Sequence, residues 1–292
     1  MIKTAWVFPG QGSQVVGMGS DVFHWPAAAA KLEQANEILG WSVLEICQDD
    51  VQLSRTLYTQ PCLYVMESIL ADEMKARGHQ PHVMAGHSLG EYVALYAAEV
   101  FDFATGLALV RRRSQLMDHA SDGMMAALIG FDADQLHQHL EQTPGVVLAN
   151  DNNAAQVVIS GTPTAVEQMM NSVKAKRAVK LNVSGAFHSP LMQDAAAEFQ
   201  TLLDEIAFAT AQVPVLSNVD PTPTINAESL KQRLSQQMTG SVRWREISLQ
   251  LSKLGMEQAI EIGPGKVLTG LIKRTAPDLA LMNISALADI PE

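Results

Sequence analysis

Short unbroken apolar runs alternate along this chain with longer stretches whose apolar positions recur at helical spacing. "TAWVF" is one of the runs, and it predicts a buried strand over residues 5–8, stopped by Pro9-Gly10. A helix-rich region follows. "HVMAGHSLGEYVALYAAEV" (82–100) reads as strand, tight turn and helix, and "FDFATGLALVRRRSQLMDHA" (101–120) as a further helix with Arg113 near its middle. The middle of the chain changes character. "GMMAALIGF" is strand-like, and "DADQLHQHLEQT" is helix-like with Asp132 or Asp134 able to cap it. "GVVLAND" and "QVVISG" read as two strands, and "TPTAVEQMMNSVKAK" as a helix capped by Thr162 with Pro163 in its first turn. "AVKLNV" (178–183) is a further strand. The chain closes with a helix in "HSPLMQDAAAEFQTLLDEI" and a strand, turn and helix in "QAIEIGPGKVLTGLIKR".

The order β-α-β-β-α-β in the middle is that of a ferredoxin-like unit. It is placed at residues 124–187, inserted into a larger α/β body made of 1–123 and 188–292. With 292 residues, 47% of them hydrophobic, the chain can bury a sizeable core. No apolar run reaches the roughly 18 residues of a membrane span. The opening stretch lacks the long apolar core of a signal peptide, so a soluble cytoplasmic protein is expected. Cys47 and Cys62 are the only cysteines, which fits a reducing compartment better than a disulfide framework. A net charge of −11 argues against general nucleic-acid binding, and an acidic partner would need a local basic patch. Candidates are Arg111–Arg113, the group Lys174, Lys176, Arg177 and Lys180, and the pair Lys273-Arg274.

The sharpest chemical signal is Gly86-His87-Ser88-Leu89-Gly90, a G-x-S-x-G nucleophile elbow with a strand before it and a helix after it. Such a turn strains the serine backbone, exposes its Oγ, and aims the N-terminus of the following helix at the place where negative charge develops. A serine hydroxyl needs a base. His137 and His139 do not share a helix face, and His79 and His82 belong to no metal-ligand pattern. His87 adjoins the serine, but neighbouring side chains diverge in such a turn. His188, between a strand and a helix, can be presented by a loop; position alone does not choose between these histidines. "FPGQGSQVVGMG" lacks the third glycine of a dinucleotide fingerprint and the Lys-Ser/Thr of a P-loop. The glycine turn after the first strand is left to aim backbone N–H groups into a cleft, that of Gln11 among them.

Together, "FPGQGSQ", "TQPCLY", "GHSLGEYVAL", "RRRSQLM", "QVVISG", "GAFHSPLM", "SNVD" and "EIGPGKVLTGL" resemble the malonyl-CoA:acyl-carrier-protein transacylase family, in that family's order, from Thr4 to about Leu287. The resemblance implies a hydrolase-like α/β body carrying the ferredoxin-like insert. It implies Ser88 as nucleophile, His188 as its base, and the N–H groups of Gln11 and Leu89 as oxyanion donors. Arg113 aligns with the arginine that binds the free carboxylate of malonate, a bidentate match that acetyl cannot make. Gln60 matches a pocket-lining glutamine, and Asn152 and Gln156 match polar residues of the insert that face the cleft. Lys176 and Arg177 match basic residues near the phosphopantetheine entrance. The family's histidine is oriented by backbone carbonyls rather than by an acid. The carbonyl of Gln237 matches one such position, and Asn218 is expected near another. Phe187 would crowd an α-methyl branch, a discrimination of about 1–3 kcal/mol. Two stretches depart from the family pattern, Gly185 in "SGAFH" and "QQMTGS" after Ser235.

The expected activity is ping-pong transfer of malonyl from malonyl-CoA to the phosphopantetheine thiol of acyl carrier protein, without metal or prosthetic group, by a monomer. A serine hydrolase, a polyketide-serving acyltransferase and a non-catalytic carrier-binding protein are the alternatives. The hydrolase usually keeps an acid between serine and histidine in chain order.

Overall fold

The computed structural model describes residues 2–120 and 122–292. Its strands, in chain order, are β1 (Thr4–Phe8), β2 (Val83–Gly86), β3 (Met124–Phe131), β4 (Val146–Asn153), β5 (Gln156–Gly161), β6 (Ala175–Lys180), β7 (Val215–Leu216), β8 (Gln258–Ile262) and β9 (Ala280–Ile284). β7-β2-β1-β8-β9 form one sheet, all parallel. A parallel sheet is covered on both faces, so its strands read as apolar runs without alternation. Side chains of β1 nevertheless alternate between two cores. Trp6 and Phe8 pack with the helices Thr56–Ala76, Gly90–Ala97 and Phe103–His119. Ala5 and Val7 pack against Trp244, Ile247, Leu251, Leu268 and Leu271 from the helices Trp244–Lys253 and Val267–Thr275.

The other sheet is antiparallel, in the order β4-β5-β3-β6. Helices Ala133–Gln142 and Pro163–Ser172 complete β-α-β-β-α-β. Met124, Ala126 and Leu128 of β3 pack under those helices, while Met125 and Ala127 on the opposite face join the core of the larger body. Asp132, not Asp134, caps the first helix through the Gln135 N–H (3.0 Å), and Thr162 caps the second through Ala165 N–H (3.3 Å).

Two boundaries differ from the sequence reading. The Pro163–Ser172 helix ends early, and β6 occupies 175–180 rather than 178–183. β6 is one of the two edge strands, where exposed lysine and arginine are tolerated and blunt the edge, so its polar residues imitate a helix end. A 3₁₀ turn at Pro190–Met192 precedes the helix Gln193–Glu205, because Ser189 Oγ accepts the Leu191 N–H and Pro190 has none to give.

Main-chain hydrogen bonds tie β4 to the loop before the Trp244–Lys253 helix of the larger body. Val242 N–H donates to Ala149 O (2.8 Å) and Asp151 N–H to Val242 O (2.9 Å), with Arg245 paired to Asp151 beside them. This seam lies next to Gly240, so the antiparallel sheet is fixed over the carboxyl ends of β1 and β2.

Candidate active site

Ligand crevices of open α/β sheets lie outside the carboxyl ends of the strands, and the turns leaving β1 and β2 meet there. After β2 the chain must reverse into the Gly90–Ala97 helix within three residues. A Cβ on Gly86 would fall 1.8 Å from the Gly90 carbonyl carbon, and one on Gly90 would fall 2.0 Å from Phe8 O. Only glycine fits either position. Ser88 between them takes φ +52°, a left-handed conformation that costs a non-glycine residue free energy and turns its side chain out of the bend. Asn218 supports the bend, accepting the Ser88 N–H at Oδ1 (2.7 Å) and donating from Nδ2 to Gly86 O (2.6 Å).

Ser88 Oγ lies 2.8 Å from His188 Nε2. His188 comes from the loop after β6 and is itself at φ +56°. Its Nδ1 faces two backbone carbonyls, Gln237 O at 2.9 Å and Gly240 O at 3.2 Å. Carbonyls only accept, so Nδ1 carries the proton and the Nε2 lone pair faces the serine. Burial, then the nearby charge of Arg113, pushes the His188 pKa down to about 3. The imidazole is therefore neutral at physiological pH, the state a general base requires.

Arg113 is fully buried. It donates from Nη1 to Gln60 Oε1 (2.7 Å) and from Nη2 to Ser88 Oγ (3.0 Å) and Gln237 Oε1 (3.1 Å). Its guanidinium stacks 5.3 Å from the Tyr92 ring centroid. None of the ion pairs among the described residues includes it. A buried cation hydrogen-bonded to neutral oxygens, the Ser88 hydroxyl among them, is a ready receptor for a small anion.

The cleft around Ser88, Arg113 and His188 has a volume of about 90 Å³ and is lined in addition by Gln11, Gln60, His87, Leu89, Met117, Met125, Asn150, Val158, Leu181, Val183 and Phe187. It is far below the 300–1,000 Å³ that encloses a drug-sized ligand, and fits a short acyl unit. Leu89 is the residue that caps the Gly90–Ala97 helix, and its N–H, like that of Gln11, is engaged by no hydrogen bond among the described residues. A Cβ on Gly10 would lie 3.6 Å from Leu89 N, which brings the turn after β1 alongside the elbow. The Gln11 side chain is tethered to Thr56 Oγ1 (3.0 Å).

The remaining sequence candidates are placed as follows. Asn152 accepts a hydrogen bond from His87 Nε2 (2.9 Å), and the His87 ring lies 5.5 Å from that of Trp244; His87 and Asn150 line the cleft, and Asn152 does not. Gln156 opens β5 on the face of Val158, opposite Ile129, beyond the cleft lining. Arg177 shares that face through its pairing with Ile129, whereas Lys176 points to the other face and lies over Gly130. Both are exposed, and neither lines the cleft. Asn218 was expected beside a histidine-orienting carbonyl. The second carbonyl belongs to Gly240, and Asn218 holds the elbow instead, because its amide is matched to one donor and one acceptor there. The residues sequence reasoning missed are Glu91 and the side chain of Gln237. Glu91 is fully buried, and Gln237 Nε2 (2.8 Å) and Asn218 N–H (3.1 Å) both donate to its Oε2. Burial pushes its carboxyl pKa up, and these two hydrogen bonds oppose the rise.

The acyl transferase domain family matches this chain over residues 5–289. A malonyl CoA-acyl carrier protein transacylase of Synechocystis sp. is 60% identical over 99% of both chains, and the crystal structure of the Synechocystis enzyme superposes with a TM-score of 0.97 over 99% of each. A polyketide-biosynthesis malonyl CoA-acyl carrier protein transacylase of Bacillus subtilis, PksC, is 42% identical, covering 95% of this chain and 98% of its own. A malonyl-transacylase solved in complex with its type II polyketide acyl-carrier protein is 35% identical with a TM-score of 0.93, covering 99% of this chain and 97% of its own. With the nucleophile elbow, the carbonyl-held histidine and the buried arginine set in a matching fold, this chain belongs to the malonyl-CoA:acyl-carrier-protein transacylase family of acyl transferases.

Proposed function

We propose that Ser88, His188 and Arg113 carry out malonyl transfer from malonyl-CoA to the phosphopantetheine thiol of acyl carrier protein, the step that supplies extender units for fatty acid synthesis. The observation that carries the reading is that one hydroxyl oxygen, Ser88 Oγ, lies 2.8 Å from a neutral imidazole nitrogen and 3.0 Å from a buried guanidinium.

His188 Nε2 takes the hydroxyl proton as Ser88 Oγ attacks the thioester carbonyl. The N–H groups of Gln11 and Leu89 receive the oxyanion of the tetrahedral intermediate. Its collapse breaks the C–S bond, and the thiolate of coenzyme A leaves with the proton from His188. The malonyl-serine ester keeps its free carboxylate on Arg113, whose fork matches a carboxylate and whose desolvated charge favours an anion. The thiol of the carrier then loses its proton to His188, attacks the ester carbonyl, and the steps run backwards. No step calls on a metal or prosthetic group. Gln60 holds Arg113, and Phe187 narrows the wall beside the α-carbon.

In this reading residues 124–187 form a subdomain that roofs the cleft, with Asn152 and Gln156 as its polar contacts and Lys176 and Arg177 near the entrance for the carrier. The enzyme acts as a cytoplasmic monomer. No described helix is long and apolar enough to cross a membrane.

The test is transfer in two separated stages. Enzyme incubated with malonyl-CoA, freed of coenzyme A and mixed with carrier protein bearing phosphopantetheine is expected to pass the malonyl group on. Ser88→Ala is expected to form no adduct and transfer nothing. Quantitative release of free malonate in place of transfer would favour a hydrolase.

A further inference from the structure

The buried carboxylate of Glu91 has no part in the steps above, yet its geometry is tied to them. The Gln237 carboxamide stands between opposite demands. Its Nε2 donates to Glu91 Oε2 (2.8 Å) and to Ser88 O (2.9 Å), while its Oε1 accepts from Arg113 Nη2 (3.1 Å). Turned over, the amide would set its NH₂ against the guanidinium N–H groups and its oxygen against a carboxylate and a carbonyl, making every contact repulsive. Glu91 Oε2 also accepts the backbone N–H of Asn218 (3.1 Å), the residue whose side chain holds the nucleophile elbow. The hydrogen bonds to Oε2 thus come from Gln237 and Asn218, which in turn touch Arg113 and Ser88, while the Ser217 hydroxyl and the charge of Arg113 lie near enough to oppose the rise that burial gives the Glu91 pKa. Oε1 of Glu91 makes no hydrogen bond.

We infer that Glu91 is a positioning residue for acyl-group selection: it fixes which end of the Gln237 carboxamide meets Arg113, and so the alignment of the guanidinium beside Ser88. The inference rests on Arg113 being the group that takes the free carboxylate of the acyl unit. What the geometry requires of residue 91 is an acceptor oxygen at the position of Oε2, within reach of both donors. A negative charge is not the requirement. A carboxamide of the same length supplies that oxygen and places its NH₂ where Oε1 stands unbonded. A carboxylate one methylene shorter keeps the charge and loses the reach.

Glu91→Gln and Glu91→Asp therefore separate the two properties. Each variant, checked for folding by its circular-dichroism melting curve, is assayed for acylation of Ser88 by malonyl-CoA and by acetyl-CoA. Glu91→Gln is expected to keep the wild-type malonyl-to-acetyl ratio of kcat/KM within about three-fold, whereas loss of a hydrogen bond to a buried charged network lowers it about ten-fold or more in Glu91→Asp. The loss should fall on KM for malonyl-CoA, with acetyl loading little changed. A structural defect alone would lower both acylations together. In a Gln237→Met background the Glu91→Asp change should have no further effect on the ratio, because the relay is already gone. Retention of the ratio by Glu91→Asp, or equal losses in both variants, overturns the inference. A wild-type enzyme that does not prefer malonyl-CoA overturns the role of Arg113 instead.

Discussion

Replacing Arg113 by methionine tests how the cleft chooses its acyl group. The flexible methionine side chain fills most of the space of the arginine stem, so the main change is loss of a buried cation that is fully shielded from solvent. Malonyl-serine then carries its carboxylate into a site with no counter-charge, facing Gln60 Oε1 and Gln237 Oε1, both acceptors that arginine had satisfied. Removing one partner of a buried charge pair costs about 3–5 kcal/mol. On the scale that relates rate to free energy this is a loss of roughly a hundred- to several-thousand-fold in kcat/KM for malonyl-CoA. Acetyl has no carboxylate, so its acylation of Ser88 should change by no more than about ten-fold, the effect of losing one hydrogen bond to Oγ and of re-packing. The ratio is read by mass spectrometry of the intact protein after brief exposure to each thioester. Equal losses for the two substrates, or malonyl loading within a few-fold of wild type, would refute the assignment of the carboxylate to Arg113.

Other outcomes follow from the same geometry. The His188 pKa, lowered to about 3 in the folded state, keeps the imidazole neutral well below its ordinary value, so kcat/KM for acylation should stay level as pH falls through 6.5; a half-point near 6.5 would contradict the buried, carbonyl-held base. The same shift has a sign for stability. Between the ordinary histidine pKa and about 3 the unfolded chain binds a proton that the native state excludes, so unfolding free energy falls as pH is lowered through that window, which acid titration of denaturant midpoints will read. Gly90→Ala drives a Cβ to 2.0 Å from Phe8 O and should destabilise by about 1–3 kcal/mol, lowering Tm by several degrees in a melting experiment, with an unchanged Tm counting against the packing of the elbow. Phe187→Ala widens the cleft wall, and the kcat/KM ratio of methylmalonyl-CoA to malonyl-CoA should rise by about ten-fold or more; no rise would remove Phe187 from extender choice.

The parts of this site that were legible in the sequence are those encoded by local geometry. Gly86 and Gly90 stand where a strand must turn into a helix without room for a Cβ, and that constraint is written in five consecutive residues. The β-α-β-β-α-β order was legible because β3 and β5 alternate or run apolar between clear helix caps. The polar network beneath the serine was not legible. Glu91 lies in the first turn of a helix, where an acidic residue ordinarily serves the helix dipole at the surface. Gln237 reaches it across 146 positions of sequence. No periodicity relates residues that far apart. Asn150 and Asn152 show another limit. β-bulges between Leu148 and Asn150 and between Asp151 and Asn153 shift the register of β4, so counting alternate residues does not decide which asparagine faces the cleft. β6 was displaced in the reading for a related reason. An edge strand keeps lysine and arginine in water, and its polarity hides its hydrogen-bonded register with β3.

The account depends on one oxygen atom becoming acylated beside one buried guanidinium. The most direct measurement is peptide mapping of the enzyme quenched in acid after exposure to malonyl-CoA. The peptide carrying Ser88 should gain one malonyl group in wild type and none in Ser88→Ala, and Arg113→Met should suppress the malonyl adduct while admitting an acetyl one from acetyl-CoA. A malonyl group found on another residue, or undiminished in Ser88→Ala, would contradict it.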